Sequence, residues 1–172
     1  MRTGWEGRFF EDYTVGDIYQ HPLGRTITET DNVWFALLTG NTNQMHFNTH
    51  FAESSTFGKP LVNSGFSVAL LLGLTVSDVS HNAIVNLGWE SIELLHPLFV
   101  GDTLYAESIV LDTRESKSRS YAGIVSVRSH GLNQHGDVCL RFKRSIMIYR
   151  RDNPYTKNTF PVAKVPIEAR ND

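Results

Sequence analysis

The stretch that decides the fold is Gly65-Phe66-Ser67-Val68-Ala69-Leu70-Leu71-Leu72-Gly73-Leu74-Thr75-Val76-Ser77. Ser64 or Ser67 can cap it as a helix. Its run Val68 to Leu74 is apolar on nearly all faces, and a helix of that kind must be surrounded by protein. The apolar stretch Phe66 to Val76 is far shorter than the roughly 20 residues that span a bilayer. It therefore reads as a buried helix with a sheet wrapped around it.

Beyond the helix the chain reads as strands: Ala83 to Leu95, Thr103 to Thr113, Tyr121 to His130 and Val138 to Arg150. In the third, Tyr121, Val125 and Val127 share one phase while Ser126 and Arg128 take the other, the period of a strand with two unlike faces. Pro97 to Asp102 is a corner, and Gln134-His135-Gly136-Asp137 is a turn. Long antiparallel strands after one buried helix give an α+β fold. Ahead of the helix, Ile27 to Thr39 is a second helix. Thr28 is its N-cap, Glu29 and Asp31 lie in its first turn, and Gly40 ends it. Val33, Trp34, Leu37 and Leu38 fall at helical spacing, and Trp34, Phe35, Phe9, Phe10 and Trp89 are expected in the core. Residues 1–20 read as irregular. A short helix is expected after Asn48. Residues 1–150 form one domain, and 151–172 an arm or tail.

Composition bounds the function. The chain has 172 residues, 41% hydrophobic and 20% charged, with a formal net charge of -2. No excess of positive charge calls for nucleic acid. Met1 to Asp12 lacks the apolar core of a signal peptide, and no membrane partner is expected. The single cysteine, Cys139, sits between Val138 and Leu140 and reads as a buried structural thiol. It fits a reducing compartment, and a cytoplasmic location is the expectation. The histidines form no zinc-like set with Cys or carboxylates, so no metal is expected.

A polar segment as long as the one between the two helices is more often functional than idle in a compact domain. Thr39-Gly40-Asn41-Thr42-Asn43-Gln44-Met45-His46-Phe47-Asn48, continuing to Phe51-Ala52, resembles the signature of the MaoC-like dehydratases, which include the R-specific enoyl-CoA hydratases. Gly40, Asn43, Met45, His46 and Ala52 match in place. Asn41 stands where that family carries its catalytic Asp, and Gln44 where it carries Pro. Phe57 to Gly65 resembles the family's lead into its central helix, with Asn63-Ser64 in place of His-Gly. Trp89-Glu90 and Leu95 to Leu104 resemble its strand–corner–strand passage. The likeness covers about residues 9–150.

The resemblance implies a hot-dog fold, a homodimer or higher oligomer, and an acyl thioester of coenzyme A as substrate, with no cofactor beyond that coenzyme A. It implies that water adds to the β-carbon of a 2-enoyl thioester. His46 and Asn41 take the catalytic positions. Asn43 orients them or the substrate, Asn63 borders the site, and Ser64 or Gly65 supplies an N–H to the thioester oxygen. The residue types suit that chemistry. Histidine exchanges protons near neutral pH, and a helix N-terminus supplies donors to a developing enolate.

Asn41 leaves three readings open, because a neutral amide cannot act as a base. It holds water that His46 alone activates; or a carboxylate from the substrate, or Glu53, Glu90 or Glu93, fills the role; or the protein binds acyl thioesters without hydrating them. A hot-dog thioesterase is a further alternative, disfavoured because Gly65 to Ser77 holds no Asp or Glu. The Asn-Thr-Asn-Gln run also resembles the branch acting on dicarboxylyl-CoA esters such as mesaconyl- and itaconyl-CoA. His50, Arg25 or Asn63 is then expected to meet the distal carboxylate.

Overall fold

The computed structural model describes residues 4–156 and 159–165. Strands β1 (Ile18–Gln20) and β2 (Arg25–Thr26) precede helices α1 (Glu29–Leu38), α2 (Thr49–Glu53) and α3 (Ser64–Leu74). Strands β3 (Ala83–Leu94), β4 (Thr103–Glu115), β5 (Ala122–Leu132) and β6 (Val138–Tyr149) complete the order. The four long strands lie where apolar runs between turn residues, and in β5 clear alternation, placed them. β1 and β2, at three and two residues, carry too few positions for any period to show.

All pairings are antiparallel, and the order across the sheet is β1-β4-β5-β6-β3, with β2 also on β4. β4, β5 and β6 are consecutive hairpins. β3 does not pair with β4, its neighbour in sequence, but crosses to the far side and pairs with β6. α3 packs on one face of the sheet: its Leu71 is fully buried with Ile27, Leu104, Leu140 and Phe142, and Trp89 meets Phe142 edge-on at 4.6 Å. This is the α+β hot-dog arrangement expected of the sequence.

Two expectations about the helices need correction. Neither Ser64 nor Ser67 caps α3. Asn63 does, its Oδ1 accepting from the Gly65 and Phe66 N–H groups at 2.9 and 3.4 Å. Nor is α3 covered all round: Gly65, Ala69 and Gly73 form an open stripe at four-residue spacing. The apolar spacing in α1 misleads for a related reason. Its buried residues are Asn32 and Ala36, whereas Trp34, Leu37 and Leu38 are 62–78% exposed. Of the other aromatics expected in the core, Phe9 is buried, and Phe10, Phe35 and Trp89 are partly so.

The far end of α3 is closed by polar contacts. A π-helical turn, Val76–Ser80, continues it. Buried Arg144 donates to Thr75 Oγ1 at 2.9 Å beside the helix C-terminus, where a cation suits the dipole. Burial pulls the Arg144 guanidinium down to about 10. Asp78 accepts from Arg8 and from His21 Nδ1, and His21 Nε2 lies 2.9 Å from Ser108 Oγ. Burial holds this imidazole below its ordinary pKa against the pull of Asp78. The network ties the N-terminal segment to the sheet.

On the opposite sheet face, Tyr155 packs on Tyr121 at 4.9 Å. The described residues after Asn153 are exposed and carry no helix or strand. Residues 1–3 of the expected domain, and 157–158 and 166–172 of the expected tail, lie outside the described residues.

Candidate active site

The segment carrying the site hangs from the end of α1. Gly40, at φ 66°, adopts the left-handed conformation that ends the helix. The Gly40 N–H then reaches Leu37 O at 3.1 Å, and the Asn41 N–H reaches Ala36 O at 2.8 Å. Asn41 Oδ1 accepts the Asn43 N–H at 3.0 Å, and Asn43 Oδ1 accepts the Met45 N–H at 3.1 Å. Two successive Asn turns thus wind the chain into a short 3-10 turn, Gln44–His46. Gln44, which departs from the resembled pattern, accepts from Asn48 Nδ2 at 2.6 Å while Asn48 caps α2.

His46 is buried at the end of that turn. Its Nδ1 lies 2.8 Å from the Leu61 carbonyl oxygen. A carbonyl only accepts, so Nδ1 donates, and in the neutral form of the ring the lone pair is left on Nε2. Asn32 fixes this arrangement from α1. Its Nδ2 donates to His46 O at 2.7 Å and Leu61 O at 3.0 Å, while its Oδ1 accepts the Asn63 N–H at 2.7 Å. One buried amide therefore holds the imidazole's backbone, the imidazole's acceptor and the residue that caps α3.

His46 lines a cavity of about 230 Å³ together with Glu29, Asn32, Thr49, Lys59 and Val100. Glu29, Asn32 and Val33 reach it from one face of α1, at the i, i+3, i+4 spacing of helix neighbours. A second cavity, about 240 Å³ and mostly apolar, is lined by Phe57, Leu61, Ser64, Ser67, Leu95 and Cys139 among others. The two flank the segment 59–64 and share no residue. Cys139 is a buried thiol, and burial pushes its pKa up.

The expected site residues thus separate. His46 opens on the first cavity, while Asn41 and Asn43 line neither cavity and shape the turn beneath it. Ser64 lines the second cavity, and Asn63 is committed to the helix cap. The Gly65 N–H is already given to Asn63 Oδ1, and a Cβ at Gly65 would meet that oxygen and the Phe35 ring at 3.2 Å. The Ser64 N–H, in the first turn of α3, has no intrahelical acceptor. The carboxylates considered as replacements for the missing Asp are elsewhere: Glu90 pairs with Lys143 at 2.9 Å, Glu93 with Arg141 at 2.7 Å, and Glu53 lines neither cavity. Arg25 is held by Asp31 through hydrogen bonds of 2.7 and 2.6 Å. Asn32, Glu29 and Lys59 were not anticipated. Asn32 between Asp31 and Val33 looks like an ordinary first-turn residue, and no local pattern marks it as buried.

A family model described as mesaconyl-CoA hydratase matches residues 1–160. The chain belongs to the mesaconyl-CoA hydratase family. Against the mesaconyl-CoA hydratase of Cereibacter sphaeroides it is 36% identical over 166 residues, 96% of this chain and 47% of that protein. The structure of a putative MaoC domain protein dehydratase from Chloroflexus aurantiacus superposes with a TM-score of 0.83 at 32% identity, covering 96% of this chain and 47% of that one. A Mycobacterium tuberculosis protein described as a double hot-dog fold superposes with a TM-score of 0.77 at 20% identity, on 46% of its length. This member of the mesaconyl-CoA hydratase family spans about half the length of the curated relatives it matches. Among the described residues, no helix is long and apolar enough to cross a membrane.

Proposed function

We propose that the chain adds water reversibly to a 2-enoyl-CoA thioester, with a short branched dicarboxylyl-CoA of the mesaconyl type as substrate. The observation that carries this is the orientation of His46. Its Nδ1–H is spent on Leu61 O, which leaves Nε2 of the neutral ring as the proton acceptor of a residue that lines a cavity. Water held at Nε2 gives up a proton as its oxygen adds to the β-carbon. The π electrons move to the thioester oxygen, and the α-carbon then takes a proton. Ser64 N–H, from this chain or a second copy, receives the enolate oxygen. Asn41 supports the turn that presents His46. The test is direct: folded protein incubated with mesaconyl-CoA, itaconyl-CoA and crotonyl-CoA is expected to bleach the enone–thioester absorbance. No turnover of any of the three would remove the reading. Free-thiol release matching the bleaching would move the chain to the thioesterases, because thioester hydrolysis removes the same chromophore.

A homodimer is part of the same proposal. β3 is a sheet edge that exposes Val85, Leu87, Ile92 and Leu94, and unpaired apolar edges invite another strand. The curated relatives carry further chain beyond the half that matches. A second copy pairing along β3 supplies cover for this edge. Light scattering is expected to give twice the chain mass. Leu87→Lys is expected to shift the protein toward one chain mass without unfolding it, and a wild-type single-chain mass at micromolar concentration would refute the dimer.

A further inference from the structure

We infer that Lys59 binds the second carboxylate of a dicarboxylyl thioester, and so sets the substrate class of the His46 cavity. The inference rests on the hydratase reading above and goes beyond it to a residue. In a mesaconyl-type thioester the carboxylate is bonded to the β-carbon, the atom that takes water. The group that holds it must therefore share a cavity with the imidazole that activates the water. Apart from His46 itself, Lys59 is the cavity's basic side chain. The three residues first considered for the role are all elsewhere. Arg25 is paired with Asp31, Asn63 caps α3, and His50 is exposed on α2 and lines neither cavity.

The backbone holds Lys59 in place. Gly58 precedes it at φ 67°, in the left-handed region, and Pro60 comes after it, which restricts Lys59 itself. Its Nζ lies 4.1 Å from the centre of the Phe99 ring, and Phe57 packs edge-on against that ring at 6.1 Å. The ammonium is thus steadied by an aromatic face, and no carboxylate among the described residues pairs with it. Glu29 is the cavity's acidic side chain, and without Lys59 it would leave the site hostile to an anion. The same α1 face carries Asn32, so Glu29 and Lys59 border the imidazole from opposite segments.

The test separates binding from turnover. Succinyl-CoA and butyryl-CoA have the same four-carbon acyl chain, differ in the terminal carboxylate, and cannot be hydrated. Calorimetry is expected to show wild type preferring succinyl-CoA by about tenfold, the scale of one hydrogen bond to a charged group. Lys59→Met keeps the apolar stem and is expected to abolish the preference with butyryl-CoA affinity unchanged; Lys59→Arg is expected to retain it. With enones, Lys59→Met is expected to lower kcat/KM on mesaconyl-CoA about tenfold and leave crotonyl-CoA within about twofold. A preference that survives Lys59→Met, or an equal loss on both thioesters, overturns the assignment. If wild type hydrates nothing, the hydratase reading fails, and the succinyl–butyryl comparison still decides Lys59. Should Lys59→Met fail to fold, Lys59→Gln decides by the same comparison.

Discussion

His46→Ala is expected to cost on the order of 10²–10⁴ in kcat on the preferred enoyl-CoA, the usual contribution of a positioned acid–base group. The loss should not come from unfolding. The Leu61 carbonyl that the imidazole satisfies also accepts from Asn32 Nδ2 at 3.0 Å, so it keeps a donor when the ring is removed. The stability penalty is then that of one ordinary hydrogen bond plus the packing of the ring, about 1–3 kcal/mol. Steady-state kinetics with parallel urea melts separates the two effects. Added imidazole is expected to restore part of the rate, because truncation leaves a ring-sized space beside the cavity. Turnover within about threefold of wild type in a folded His46→Ala protein would end the proposal that this ring activates water.

Asn32→Ala is expected to cost more stability than any other single change at the site, about 2–4 kcal/mol. Asn32 is 1% exposed, and its amide serves three backbone groups at once. Truncation strips the donor from His46 O and leaves the Asn63 N–H facing apolar surroundings. Against a total of roughly 5–15 kcal/mol for a domain, that is a large fraction, and it translates to a drop in Tm on the order of 10 °C. Asn32→Asp tests the geometry more sharply. It keeps the acceptor for Asn63 but turns a negative oxygen toward two carbonyls, so it should be no more stable than the Ala variant. Urea titration of both variants checks this. A near-neutral Asn32→Ala would mean that the three contacts are not held in solution. Activity should fall as well, since His46 and the start of α3 lose their common anchor.

Much of this was legible in the sequence, for physical reasons that differ by element. α3 showed itself as an uninterrupted apolar run at helical length, though its small-residue stripe stays uncovered; β5 and part of β6 showed themselves by alternation, and β4 by the turns on either side of it. Gly40 was readable as a helix end because its left-handed φ suits glycine, and the Thr28 cap because its hydrogen bond is local; that Asp31 closes the cap in return was not anticipated. His46 stood out through a motif and not through any periodicity. What stayed hidden depends on contacts far apart in the chain. Asn32 looks like any polar residue in a first helical turn until Leu61 and Asn63 are brought against it. Lys59 looks like a loop lysine until α1 swings Glu29 and Asn32 to the same cavity. Trp34, Leu37 and Leu38 have the spacing of a buried stripe, yet nothing among the described residues covers them.

The crossing of β3 has a consequence for how the chain assembles. Neighbouring strands meet across short loops: Glu115 pairs with Gly123, and Leu132 with Val138. β3 must instead bring Ala83 to Ile148 and Leu94 to Leu140, across sequence separations several times longer. Closing such loops is the slow part of building a sheet. A β4–β5–β6 meander formed ahead of β3 would leave the flank of β6 bare. A β6 flank from another molecule would then compete with the chain's own β3, so dilution, rather than temperature, is expected to be the first lever for recovering this protein from denaturant.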